Sequence, residues 1–123
     1  MAKIMVVDDD PEISSLVQYT LESVGHNLKI CDNGREVIDS LREFKPDLLV
    51  LDVMLPGVDG YSLAAKITEE AEFSEMPIIV LSALEPSRSM FTKFNQVSAF
   101  LTKPFNTDDL IEAVKNALSS KSQ

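Results

Sequence analysis

The 123-residue chain has one cysteine, one histidine, 11 basic residues and no apolar stretch near the roughly 20 residues that span a bilayer. Each shortage excludes something. A single cysteine, Cys31, rules out an internal disulfide. Its place at the end of an apolar segment reads as a small buried hydrophobe rather than a reactive thiol. The one histidine, His26, lies in the polar turn Gly25-His26-Asn27 and is read as solvated. It has no second histidine or thiol with which to share a zinc ion. Against the 11 basic residues stand 20 acidic ones, a net charge of −9. That balance disfavours non-specific nucleic-acid binding, which needs clustered Lys and Arg. Repeats and low-complexity segments are absent from the sequence. The start Met1-Ala2-Lys3 runs straight into a strand pattern without the features of a signal peptide, so a cytoplasmic location is expected, with no membrane association.

What is present points to a folded unit. Hydrophobic residues make up 45% of the chain, enough for a globular core. The length suits one domain over 1–123, with the polar stretch 119–123 read as a flexible tail or the start of a linker. Strand-like and helix-like segments alternate. Strands are predicted at Lys3–Val7, Leu28–Cys31, Asp47–Leu51, Ile78–Leu81 and Ala99–Thr102. Helices are predicted at Pro11–Val24, Gly34–Phe44, Tyr61–Ala71, within Pro86–Asn95, and from Asn106 or Thr107 to Leu118. Asp10-Pro11-Glu12 supplies a cap, a first-turn proline and an acid near the helix dipole, and Gly25 marks the helix end. Five strands alternating with five helices imply an α/β fold. The expected form is a three-layer, doubly wound, five-stranded parallel sheet of order 2-1-3-4-5.

Three apolar runs end in charge. Met5-Val6-Val7 leads to Asp8-Asp9, Leu48-Leu49-Val50-Leu51 to Asp52, and Phe100-Leu101-Thr102 to Lys103-Pro104. In such sheets ligands bind outside the carboxyl ends of the strands, so these charges should converge. Clustered carboxylates repel one another, and a hard divalent cation resolves the conflict. Asp9 and Asp52 are expected as direct Mg²⁺ ligands, with Asp8 acting directly or through water. Asp10 is better read as a helix cap. Asp52 is the candidate nucleophile, since a carboxylate can attack phosphorus and form an acyl phosphate. Lys103 would neutralise the phosphoryl oxygens, and the Ser82 hydroxyl would donate to one of them.

The motifs Val-Val-Asp-Asp-Asp-Pro-Glu, Leu-Val-Leu-Asp-Val-Met-Leu-Pro-Gly-Val-Asp-Gly, Val-Leu-Ser-Ala and Leu-Thr-Lys-Pro-Phe carry a resemblance. Together, in order and over essentially the whole chain, they closely resemble the receiver domain of bacterial two-component response regulators. The resemblance implies a flavodoxin-like receiver fold and a phosphorylation-dependent signalling switch rather than an enzyme. It implies that Asp52 is the phosphoacceptor, Asp8 and Asp9 the acidic pair, the Met54 backbone carbonyl a metal ligand, Ser82 and Phe100 the switch pair, Lys103 the conserved lysine, and Lys103-Pro104 a cis peptide. It further implies a phosphorelay with a histidine kinase or phosphotransfer protein as donor. The readout would pass through the surface of the fourth helix, fifth strand and fifth helix to a downstream protein or output domain, a phosphorylation-dependent homodimer being one form.

Two departures stand out. Where a Gly-Ala stretch is common before the switch aromatic, the chain reads Lys93-Phe94-Asn95-Gln96-Val97-Ser98-Ala99-Phe100, and the segment from Ser82 to Lys103 is about one residue short. A short, shifted or irregular fourth helix is therefore expected, and Met90, Phe91 and Phe94 read as core or as an exposed docking patch. A receiver-like docking module without phosphorylation is the alternative. A haloacid-dehalogenase-type phosphatase is disfavoured because Met54 stands where a second carboxylate is needed. A flavin carrier is disfavoured because no Ser/Thr/Gly-rich phosphate loop follows the first strand.

Overall fold

The computed structural model describes residues 2–52, 54–55, 58–82, 94–103 and 105–121. The predicted helix within Pro86–Asn95, with Met90 and Phe91, and Pro104 with its peptide bond, fall outside these residues or at their margin. Elements follow in the order β1 (Lys3–Val7), α1 (Pro11–Ser23), β2 (Asn27–Cys31), α2 (Val37–Phe44), β3 (Leu48–Asp52), β4 (Met54–Leu55), β5 (Val58–Asp59), α3 (Gly60–Glu69), β6 (Ile78–Ser82), β7 (Val97–Thr102) and a C-terminal helix (Thr107–Lys121). Single 3₁₀ turns sit at Gly34–Glu36 and Ala71–Phe73.

The main sheet has five strands in the order β2-β1-β3-β6-β7, all pairs parallel. Numbered by chain order within that sheet, this is the expected 2-1-3-4-5. The tiny β4 and β5 form a separate antiparallel pair.

Composition explains the layers. β1 and β3 are central, and Ile4–Val7 and Leu48–Leu51 are wholly buried because helices cover both faces. Alternate residues serve opposite layers. Met5, Val7, Leu49, Leu51, Ile78 and Val80 pack with Val37, Leu41, Leu63 and Ile67 of α2 and α3. Ile4, Val6, Leu48, Val50, Ile79 and Leu81 pack with Val17, Leu21, Leu110 and Val114 of α1 and the C-terminal helix.

Helix ends are set locally. The Asp10 side chain accepts from the Glu12 N–H at 2.9 Å and caps α1. At the other end the His26 N–H reaches the Leu21 carbonyl and the Gly25 N–H the Glu22 carbonyl, a double closure that needs Gly25 at φ 98°. His26 is half-buried rather than solvated, its Nδ1 accepting from the Ala2 N–H at 3.2 Å. Two apolar residues of the predicted first helix, Leu16 and Val24, are exposed. Leu16 lies on the flank, 100° round the helix from Val17, and Val24 lies past the last turn. The second predicted helix begins as the 3₁₀ turn Gly34–Glu36, because the Asn33 side chain caps the Glu36 N–H. The third ends at Glu69, and the C-terminal helix continues through Ser119 to Lys121.

Candidate functional site

The site is built by register. β1 and β3 pair Val7 with Leu51, so the next residues, Asp8 and Asp52, emerge side by side at the carboxyl edge of the sheet. Both are almost fully buried, at 1% and 2% exposure. Asp9 follows in the loop and is exposed. One carboxylate oxygen from each of Asp8, Asp9 and Asp52 lies within 4.8 Å of the others. Lys103, just past β7, reaches across to pair with both buried acids: its Nζ is 3.2 Å from Asp8 Oδ2 and 3.3 Å from Asp52 Oδ2.

Sequence reasoning brought Lys103 to the same edge as the acids but did not foresee its bond to Asp8. It left Asp8 as a direct or water-mediated ligand beside Asp9, and in the fold Asp8 is the buried one of the two. Only the register of β1 against β3 reveals this, and no residue pattern encodes it directly.

The electrostatics are strained toward cation binding. Burial pushes the Asp8 carboxyl up to about 6, with the Asp52 charge adding to it. The Asp10 N–H, bonded to Asp8 Oδ1 at 2.9 Å, and the Lys103 ammonium pull the other way. Burial pulls the Lys103 ammonium down, but Asp52 and Asp8 outweigh it and hold it above its ordinary value. Among the described residues, one ammonium thus pairs with two of three clustered carboxylates. An all-oxygen donor set with excess negative charge fits a hard divalent cation such as Mg²⁺.

The raised Asp8 value has a stability consequence. The folded state binds this proton more tightly than the unfolded chain does. The associated stability is therefore present in full below the ordinary carboxylate value near 3.8 and is lost as pH rises through about 6. Asp8→Asn imitates the protonated form and keeps an oxygen for the Asp10 N–H. Urea unfolding at pH 7.5 without metal should show a gain of about 1–3 kcal/mol, shrinking toward zero near pH 4. A loss of stability at pH 7.5 would mean that the Lys103 pair outweighs burial.

The remaining predicted residues fall around this edge. Ser82 ends β6 opposite Thr102. Phe100 pairs with Val80 and is half-buried against the α2/α3 layer. Met54 opens β4, two residues beyond Asp52, paired with Asp59. Phe94 packs on the core, its ring 5.3 Å from that of Tyr61, so the core reading holds for it. Cys31 ends β2 beside the site, buried, and its carbonyl accepts the Asp8 N–H at 3.2 Å.

Comparison with known proteins decides the family. Residues 4–115 match the family model described as the response regulator receiver domain. The chain belongs to that family. It is 37% identical over 119 residues to the phosphate regulon transcriptional regulatory protein PhoB of Rhizobium meliloti (strain 1021), covering 96% of this chain and 52% of PhoB. It is 28% identical to protein PilH of Pseudomonas aeruginosa, covering 97% of this chain and 99% of PilH. Among solved structures, the signal receiver domain of a signal transduction histidine kinase from Syntrophus aciditrophicus superposes with a TM-score of 0.86 at 30% identity, covering 98% of this chain and 92% of that one. The chain spans about half the length of several of the curated relatives it matches. As a response regulator receiver domain it is a signalling module, and its acid cluster is compatible with Mg²⁺. Among the described residues, no helix is long and apolar enough to cross a membrane.

Proposed function

We propose that this receiver accepts a phosphoryl group on Asp52 from the phosphohistidine of a histidine kinase or phosphotransfer protein, in the cytoplasm, and signals through the changed surface. The single observation that carries this reading is the buried triad in which Lys103 holds Asp8 and Asp52 together. An Asp52 carboxylate oxygen attacks phosphorus in line, the new P–O bond forms as the P–N bond breaks, and the histidine, protonated on its other ring nitrogen, takes the electron pair and leaves as neutral imidazole. Asp8, Asp9, Asp52 and the Met54 carbonyl would hold Mg²⁺. When bound, the ion supplies charge neutralisation for the phosphoryl oxygens.

Lys103 contributes a second positive charge from the carboxyl end of β7, at the same sheet edge, already fixed by its two ion pairs, so little rearrangement is required at the moment of transfer. The acyl phosphate brings about two negative charges and three acceptors into the cluster of Asp8, Asp9, Asp52 and Lys103. The Ser82 hydroxyl is drawn toward it, and Phe100 follows into the vacated space. The face built from β7 and the C-terminal helix then differs between the two states. A downstream protein, an output domain or a second receiver reads that difference, by an amount set by its differential affinity. As a signalling module the domain supports only its own phosphorylation and dephosphorylation.

Intact mass after incubation with acetyl phosphate tests this reading. With millimolar Mg²⁺ one phosphoryl adduct should form. Removing the metal with EDTA should reduce the yield at least 100-fold. Equal labelling with and without metal would remove the acid cluster from the chemistry, and no adduct in either would leave a docking module with the receiver fold.

A further inference from the structure

β7 carries one residue more than its neighbour can pair. Ile78 pairs with Val97 and Ile79 with Ala99, so Ser98 is left over as a bulge. The bulge resets the alternation of side chains. Val97 and Phe100 are three residues apart, yet both pack on the α2/α3 layer with their partners Ile78 and Val80. Ala99 and Leu101 pack on the opposite layer with Ile79 and Leu81. In a regular strand Val97 and Phe100 would point to opposite faces.

Two registers of the strand start are compatible with the upper pairs. In the observed one Val97 faces Ile78. In the other, Ser98 takes that place, the ladder is regular, and residues 94–97 sit one position back, about 3.3 Å away. Phe100, Leu101 and Thr102 keep their partners in both. The regular ladder would put Ser98 in the place of Val97 against the α2/α3 layer, so burial of Val97 favours the bulge, and a polar anchor beside it holds the register.

Gln96 does this with three hydrogen bonds to one short segment. Its backbone carbonyl accepts from the Ile78 N–H at 2.7 Å, and its side-chain Nε2 donates to the Phe73 carbonyl at 2.7 Å and the Met76 carbonyl at 2.8 Å. Both side-chain partners are carbonyls, so only the amide nitrogen can face them and the orientation is fixed. Phe73 and Met76 are buried in the core. The segment is also held from the other side, where Arg42 of α2 pairs with Glu70 at 2.9 Å and Glu72 at 2.7 Å. Phe94, two residues before Gln96, is placed against Tyr61 in this register.

We infer that Gln96 is a register lock: it holds the start of β7 in the bulged register and thereby seats Phe94 on Tyr61, while Phe100 and Lys103 keep their place. Ser98 leaves one residue of slack between the locked end and Phe100. A displacement of Phe100 is taken up there and reaches Phe94 only when the lock opens. The inference is independent of phosphoryl transfer and of any metal.

The test follows the Tyr61–Phe94 ring contact and the amides of residues 94–97 by NMR in the full chain. It compares wild type, Gln96→Ala, Gln96→Glu, a deletion of Ser98, and that deletion combined with Gln96→Ala. Gln96→Ala should weaken the ring contact at least two-fold and shift or double the amide signals of 94–97, leaving Leu101 and Thr102 unmoved. Gln96→Glu, which sets a carboxylate against two carbonyls, should do the same. Deleting Ser98 removes the slack, pairs Val97 and Ala99 with Ile78 and Ile79 in a regular ladder, and leaves one register. The deletion variant should fold, and Gln96→Ala in that background should leave the ring contact intact. Equal loss in both backgrounds would make Gln96 an ordinary local bond and overturn the lock. So would a wild-type spectrum for Gln96→Glu.

Discussion

Asp52→Asn abolishes phosphoryl labelling by acetyl phosphate and leaves the fold intact. The substitution preserves the shape of a side chain that is 2% exposed at the end of a fully buried strand, so packing of β3 is unchanged. What disappears is the anionic oxygen that attacks phosphorus. Lys103 keeps its other partner, Asp8, at 3.2 Å. One charge also leaves a cluster of three carboxylates. The Asp52→Asn protein should therefore be at least as stable as wild type without metal, which separates loss of chemistry from loss of structure. Intact mass and thermal unfolding on the same samples check both halves. Labelling at the wild-type level would move the acceptor to another residue. Unfolding would show that Asp52 is needed for the fold itself.

Lys103→Ala should split stability from metal binding. The ammonium pairs with both buried acids, so its loss removes the positive charge that holds Asp8 and Asp52 together. Breaking such a buried pair by removing one partner costs about 3–5 kcal/mol in general. Here Asp8 can take up a proton, which limits the loss to about 2 kcal/mol, or roughly 5–10 °C in a domain of this size. The sign of the pH effect follows. At pH 8 Asp8 is ionised in the wild type and the ammonium is most needed. Below about pH 6, protonation of Asp8 substitutes for it. The melting temperature of Lys103→Ala should thus fall short of wild type more at pH 8 than at pH 5. Millimolar Mg²⁺ should close much of the gap, because the three carboxylates remain and no ammonium competes for their oxygens. Labelling should drop at least ten-fold even with Mg²⁺ saturating. A uniform loss of stability at both pH values, unrelieved by Mg²⁺, would make Lys103 a packing residue.

The sheet was readable because its central strands are uninterrupted apolar runs. Met5–Val7 and Leu48–Leu51 admit no other placement in a chain of alternating elements, and the charged residues that end them mark the ligand edge. Which acid is buried was not readable. Asp8 and Asp9 are adjacent and chemically identical, and only the pairing of Val7 with Leu51 turns the first inward beside Asp52. The start of β7 was lost for a related reason. The Ser98 bulge breaks the period-two pattern, so the strand appeared to begin at Ala99 although pairing begins at Val97. Phe73 and Met76 were missed as core because glutamates surround them, at Glu69, Glu70, Glu72 and Glu75. The exposed Leu16 shows the converse, an apolar residue near helical spacing that sits on the flank of α1.

The most direct test of phosphoryl transfer to Asp52 is to trap the acyl phosphate chemically. Borohydride reduces an aspartyl phosphate to homoserine and leaves free carboxylates untouched. After incubation with acetyl phosphate and Mg²⁺, reduction and peptide mapping should find homoserine at position 52 and at no other aspartate. Homoserine at Asp8, Asp9 or elsewhere, or its absence from a folded and Mg²⁺-loaded protein, would contradict the assignment of Asp52 as the phosphoacceptor.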